Sequence, residues 1–158
     1  MKAATISQLK KELSYRSPEE LLELCLRLSK FKKENKELLT YLLFESIDEA
    51  AFIEGIKAEI DSDFENINIK NYFYIKKSIR KILRHIKKYS RYSLRKETEV
   101  ELLLYFLQKL KNFRPSINRN VTLMNLYQRQ LLAVKKIISS LHEDLQYDFQ
   151  LEVEELEY

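Results

Sequence analysis

One glycine in 158 residues, Gly55, constrains this chain more than any other feature. Average usage would give about 11. Tight β-hairpins draw on glycine for positive-φ positions, so a sandwich or barrel of hairpins is excluded on chemistry. Phosphate-cradling glycine loops are excluded for the same reason: a Cβ would block close backbone approach. Prolines are also scarce, with only Pro18 and Pro115 to interrupt helices. The chain is therefore expected to be all-α. Asparagine is the next choice for left-handed helix ends, and Asn35, Asn66, Asn68, Asn112, Asn118 and Asn120 are placed to serve.

Helical periodicity divides the chain into about seven helices. The first runs from about Thr5 to Ser14. Ser17-Pro18-Glu19-Glu20 is a complete start signal for the second, with an N-cap serine, a proline at N1 and a glutamate at N3. That helix continues to about Phe31, and Leu21, Leu24, Cys25 and Leu28 form its main face. Leu22 and Leu26 widen the apolar arc, which implies burial against more than one neighbour. The polar run Lys32–Lys36 separates it from a third helix over about 37–45. Asp48 caps a fourth, buried through Ile53, Ile56, Ile60 and Phe64. A fifth covers about 70–93 and a sixth about 97–113, the latter with Val100, Leu103, Leu107 and Leu110 inward. The seventh opens at Asn120 or Thr122, with a seam of Met124, Tyr127, Leu131, Val134, Ile138 and Leu141. The end of the chain fits two periods. Leu145, Tyr147, Phe149, Leu151 and Val153 alternate like a strand, whereas Leu145, Phe149, Val153 and Leu156 share a helix face. Helix is favoured because nothing else offers a strand to pair with. One domain over 1–158 with an acidic segment at 143–158 is expected, built as a helical bundle or as a short α-superhelical stack. No sharp internal repeat is visible.

Charge is concentrated. Residues 70–96 hold 11 basic side chains and no acidic one, between flanks that are net negative. On a helical wheel Ile75, Ile79, Ile82, Leu83, Ile86 and Tyr89 lie on one arc, and Lys76, Lys77, Arg80, Lys81, Arg84, Lys87, Lys88 and Arg91 on the opposite one. The positive stripe is about 22 Å long. Like charges at i,i+4 repel by a few tenths of a kcal/mol each, so the stripe is expected to meet something anionic. The chain's own tail 143–158 carries seven acids and no base, and could lie across it. An acidic protein surface is the other leading partner. Nucleic-acid phosphate is the alternative, by non-specific contact, because no sequence-reading motif is present.

Candidates for chemistry are few. Cys25, the only cysteine, is flanked by Leu24 and Leu26 and is expected to be a buried, inert thiol. His85 sits among Arg84 and Lys87 and reads as a surface histidine. His142, followed by Glu143 and Asp144, lacks a second histidine at helical spacing and reads as a helix C-terminal residue. Glu97, Glu99 and Glu101 do not share a face. No catalytic, metal or cofactor site is expected. The N-terminus lacks an apolar signal core, and the longest apolar run, 38–44, is far short of the ~20 residues that span a bilayer. The expectation is a cytoplasmic, non-enzymatic helical interaction or scaffold protein, with no membrane insertion.

Leu9-Lys10-Lys11-Glu12-Leu13, Ser17-Pro18-Glu19-Glu20-Leu21, the basic middle helix, Leu103-Leu104-Tyr105 and His142-Glu143-Asp144-Leu145 occur in an order that resembles an uncharacterised bacterial helical family. That family is catalogued as a domain of unknown function, DUF6155. The resemblance implies a helical, stacked fold and carries no activity and no functional residue.

Overall fold

Every connection in the chain joins helix to helix, and the computed structural model describes all of residues 1–158. Eight α-helices follow one another: α1 Ile6–Leu13, α2 Pro18–Phe31, α3 Lys33–Thr40, α4 Glu49–Glu65, α5 Tyr72–Ser93, α6 Lys96–Asn112, α7 Val121–Ile138 and α8 Glu143–Leu156. A π-helical turn, Tyr41–Glu45, follows α3, and a 3-10 turn, Ile117–Arg119, precedes α7. No helix is long and apolar enough to cross a membrane. Where one domain was expected, the chain divides into two compact units, Met1–Phe44 and Glu45–Tyr158.

The first unit is held by local chemistry. Thr5 and Ser17 both make reciprocal capping boxes, with Gln8 and Glu20. The Ser17 N–H donates to Glu20 Oε2 at 2.8 Å, which holds the Glu20 carboxyl below its usual range. The polar run 32–36 is not a loop. Lys32 alone is extended, and α3 starts at Lys33. Asn35 ends no helix of its own; its Nδ2 donates to the Leu28 carbonyl at 2.7 Å and closes the end of α2 from the first turn of α3. Only Ser29 and Tyr41 are buried in this unit.

The second unit holds the core. α6 packs against α4, α5, α7 and α8. That explains why it is apolar nearly all round: Leu102, Leu104 and Phe106 are as buried as the Val100, Leu103, Leu107, Leu110 face. α4 touches α6 and α6 touches α8, so these three form one layer, and α5 and α7 each touch both members of the α4–α6 and α6–α8 pairs beside which they are set. This is the neighbour pattern of a helical-pair stack. Polar ties recur along it at one sequence interval. Lys57 to Glu101, Tyr105 to Asp61, Tyr72 to the Ser116 carbonyl, Lys96 to Ser140 and Lys111 to the Glu155 carbonyl all join residues 44 apart. Burial opposes ionisation of Asp61, but hydrogen bonds from Lys109 and Tyr105 outweigh it and hold the carboxyl low. Glu152 on α8 is pushed up, first by burial and then by the Glu101 charge.

The C-terminal segment is helix. Val153 and Leu156 are buried and Leu145 and Phe149 half-buried, while Tyr147 and Leu151, inward in a strand, are exposed. His142 opens this helix rather than closing α7, its Nδ1 accepting from the Asp144 N–H at 3.3 Å.

None of the asparagines is left-handed. The one residue with positive φ is Leu94, at φ 57°, where α5 ends. The turn into α6 forces this, and the side chain is exposed. An L-residue there costs about 1–2 kcal/mol, which asparagine tolerates better. Leu94→Asn is expected to raise the unfolding free energy by about 0.5–1 kcal/mol and the thermal midpoint by about 2 °C. An unchanged or lower midpoint in a melting curve would count against the strain.

Candidate functional site

α5 is the longest helix and the one whose two faces differ most. Asn71 opens it by accepting from the Phe73 and Tyr74 N–H groups. Ile75, Ile79, Ile82, Leu83 and Ile86 are buried, as expected, whereas Tyr89, expected on the same arc, is half-buried because its hydroxyl reaches out to Glu59. The core face fixes the rotation of the helix, and with it the direction of the opposite face.

On that opposite face Lys77, Arg80, Lys81, Arg84, Lys87 and Arg91 are exposed. None of these six forms an ion pair. Lys88 departs from the set: it is half-buried, and its ammonium lies 4.9 Å from the Tyr89 ring centroid. Two acids of α4 are spent at the borders of the stripe. Glu59 accepts from the Tyr89 hydroxyl at 2.8 Å, and Asp63 lies 3.7 Å from His85, which is half-buried at the edge.

The acidic tail does not answer the stripe. α8 packs on α6 and α7. Its partners are Lys111, which donates to the carbonyls of Glu155 and Glu157, and Lys135, which pairs with the Glu157 carboxylate. The reason is apolar: Val153 and Leu156 anchor α8 against the α6–α7 pair, and charges follow that placement.

One feature of the face is absent from the charge pattern. Phe73, Lys77, Arg80, Arg84, Lys87 and Arg91 are spaced alternately by four and three residues, which lays them in a nearly straight line. Phe73 is 67% exposed at its N-terminal end. A surface groove of about 740 Å³ runs along the line, bounded by Phe73, Lys76, Lys77, Arg80, Leu83, Arg84 and Lys87. The stripe is thus cationic with an apolar floor at one point and an aromatic side chain at one end. Phe73 is missing from the sequence expectation, and its i,i+4 relation to Lys77 is the signal that places it on this face.

Two other places bear on chemistry. A depression of about 440 Å³ gathers Glu49, Glu54, Arg95, Glu97, Thr98 and Glu101. Its most buried acid, Glu49, accepts from both Ser93 and Thr98 and lies 3.9 Å from Arg95, so it ties the start of α4 to the α5–α6 turn. Glu97 and Glu101, one helical turn apart, reach this depression together, while Glu99 does not line it. Cys25 is exposed, not buried, and lines an apolar groove between α2 and α3. No group of three or more His, Cys, Asp or Glu side chains is placed to hold a metal ion. No family model, no curated protein and no solved structure matches the chain.

Proposed function

We propose that the protein is a cytoplasmic, non-enzymatic helical interaction protein whose α5 stripe docks an acidic protein segment. The observation that carries this is the line Lys77, Arg80, Arg84, Lys87 and Arg91, exposed and without ion pairs along one rigid helix. Holding these charges together repels and yields nothing to the fold. The core face of α5 would be met equally well with a neutral or mixed outer face. Phe73 favours a protein partner, because it offers apolar contact at the end of the line of cations for a segment that alternates acidic and apolar side chains. The order of the helices, with Leu103-Leu104-Tyr105 in the central one, supports placing the chain beside the DUF6155-like family.

Nucleic acid is the alternative, and the uniform sign of the stripe over about 21 Å favours it. The two readings separate in titrations against an acidic peptide containing aromatic residues, duplex DNA and single-stranded RNA. The proposal expects the acidic peptide to bind, and Arg80→Glu/Arg84→Glu/Lys87→Glu to weaken it by about 100-fold or more, at roughly 1.4 kcal/mol per tenfold. Tighter binding to DNA, with log K falling against log salt by about 0.9 per phosphate contact, would replace it with the nucleic-acid reading. No binding of any probe at about 50 mM salt, where phosphate contacts are strong, would sink both.

A further inference from the structure

The first unit carries a surface that its own fold does not use. α1, α2 and α3 bury no apolar side chain. On α2, Leu21, Leu24, Leu28 and Phe31 are spaced by three, four and three residues, within an arc of about 80° at 3.6 residues per turn. This is the seam spacing of packed helices. Leu24 is 40%, Leu28 61% and Phe31 76% exposed. Beside them Cys25, Leu28, Leu38 and Leu39 line the groove between α2 and α3. A helical unit of 44 residues is at the size where a single chain struggles to bury enough surface to hold itself, and association is a usual remedy.

We infer that this seam is a self-association surface, in which α2 of one copy packs antiparallel against α2 of a second copy. The charges along α2 select that occupant. Glu19, Glu20 and Glu23 lie in its first half, and Arg27, Lys30 and the following Lys32 in its second. A uniformly acidic partner is repelled by one half and a uniformly basic partner by the other. A parallel second copy sets like against like. An antiparallel second copy sets acid against base at both ends, through one two-fold axis. With that axis near residue 26, Leu24 faces Leu28 and Leu21 faces Phe31 of the other copy, and Glu20 comes beside Lys32. Two α2–α3 hairpins so joined make a four-helix cluster, which covers the groove as well. This inference is independent of the α5 stripe.

Sedimentation velocity of the full chain from low to several hundred micromolar is the first test. The mass should rise from one chain to two, and Leu24→Glu/Leu28→Glu should remain a monomer throughout with its far-ultraviolet helix signal unchanged. Orientation is read by oxidative cross-linking in a Cys25→Ser background. A mixture of Leu24→Cys and Leu28→Cys chains should form the mixed disulfide dimer in preference to either symmetric one. A monomer at every concentration, a dimer indifferent to the double glutamate variant, or symmetric cross-links in place of mixed ones would each overturn the inference.

Discussion

Truncating Phe106 to alanine should lower the unfolding free energy by about 3–5 kcal/mol. Phe106 is fully buried on α6, the helix that touches four others. Its ring meets that of Phe64 at 5.9 Å, and Phe64 in turn meets Phe113 at 5.9 Å, so one aromatic cluster joins α4 to both the body and the end of α6. Removing the ring loses its transfer free energy and leaves a cavity that its packed neighbours only partly close. Against a total stability of about 5–15 kcal/mol, that takes the second unit a large part of the way to unfolding. Phe31→Ala is the matched control. It removes the same ring from an exposed site, and in dilute solution should change stability by no more than about 0.5 kcal/mol. Urea denaturation of both variants checks the pair. Equal costs would mean that the core is not centred on α6.

The same two phenylalanines mark how far the sequence could be read. Periodicity found most of the inward faces of the second unit, but on α7 it took Met124 and Leu141, which are half-buried, and missed Leu123 and Leu126, which are buried, because α7 meets both α6 and α8 and its inward face is wider than one seam. It under-read α6, where Leu102, Leu104 and Phe106 point to further neighbours that no single wheel reveals. It over-read α2, whose leucines look like core and are mostly exposed. Apolar spacing says that a face wants covering; it does not say that the same chain covers it. Cys25 went wrong for that reason. The boundary at Phe44 was silent because it falls at the end of the apolar run 38–44, with no glycine, proline or charge run to mark a linker. The stack was also hidden. Its polar ties keep a 44-residue interval, yet they link Lys to Glu at one step, Tyr to Asp at another and Tyr to a carbonyl at a third, so contact repeats while residue identity does not. The charge of the α5 face was legible, since a run of 11 bases without an acid survives any rotation, but the half-burial of Lys88 and the place of Phe73 on the line were not. Nor was what the face pairs with. The tail had the complementary charge, but burial of Val153 and Leu156 outweighed surface ion pairs that contribute at most about 1 kcal/mol each.

Placement of α8 leads to the other large effect, which is alkaline. The Tyr127 hydroxyl donates to the Leu156 carbonyl at 2.7 Å, and the ring, fully buried on α7, meets Tyr158 at 5.4 Å. Burial pushes the phenol well above its ordinary value near 10. The folded state therefore holds Tyr127 protonated where an unfolded chain would release the proton. A group raised on folding contributes its stability in full below the unfolded pKa and loses it as pH climbs towards the folded one. Stability of the second unit should accordingly be flat to about pH 10 and then fall by up to about 1.4 kcal/mol per pH unit from this group. Tyr127→Phe separates the hydroxyl from the ring. At neutral pH the variant should be weaker by about 1–3 kcal/mol, since the Leu156 carbonyl is left buried without its donor. Above about pH 10 the two proteins should converge, because the variant has no phenol to ionise at that position. Tyr105 and Tyr158 are raised as well and remain in both proteins, so they shift the curves together and leave the difference to Tyr127. Urea midpoints followed through the alkaline range measure that difference. Curves that stay parallel would show that the hydroxyl is already free of the α7–α8 contact, and that apolar burial alone docks the last helix.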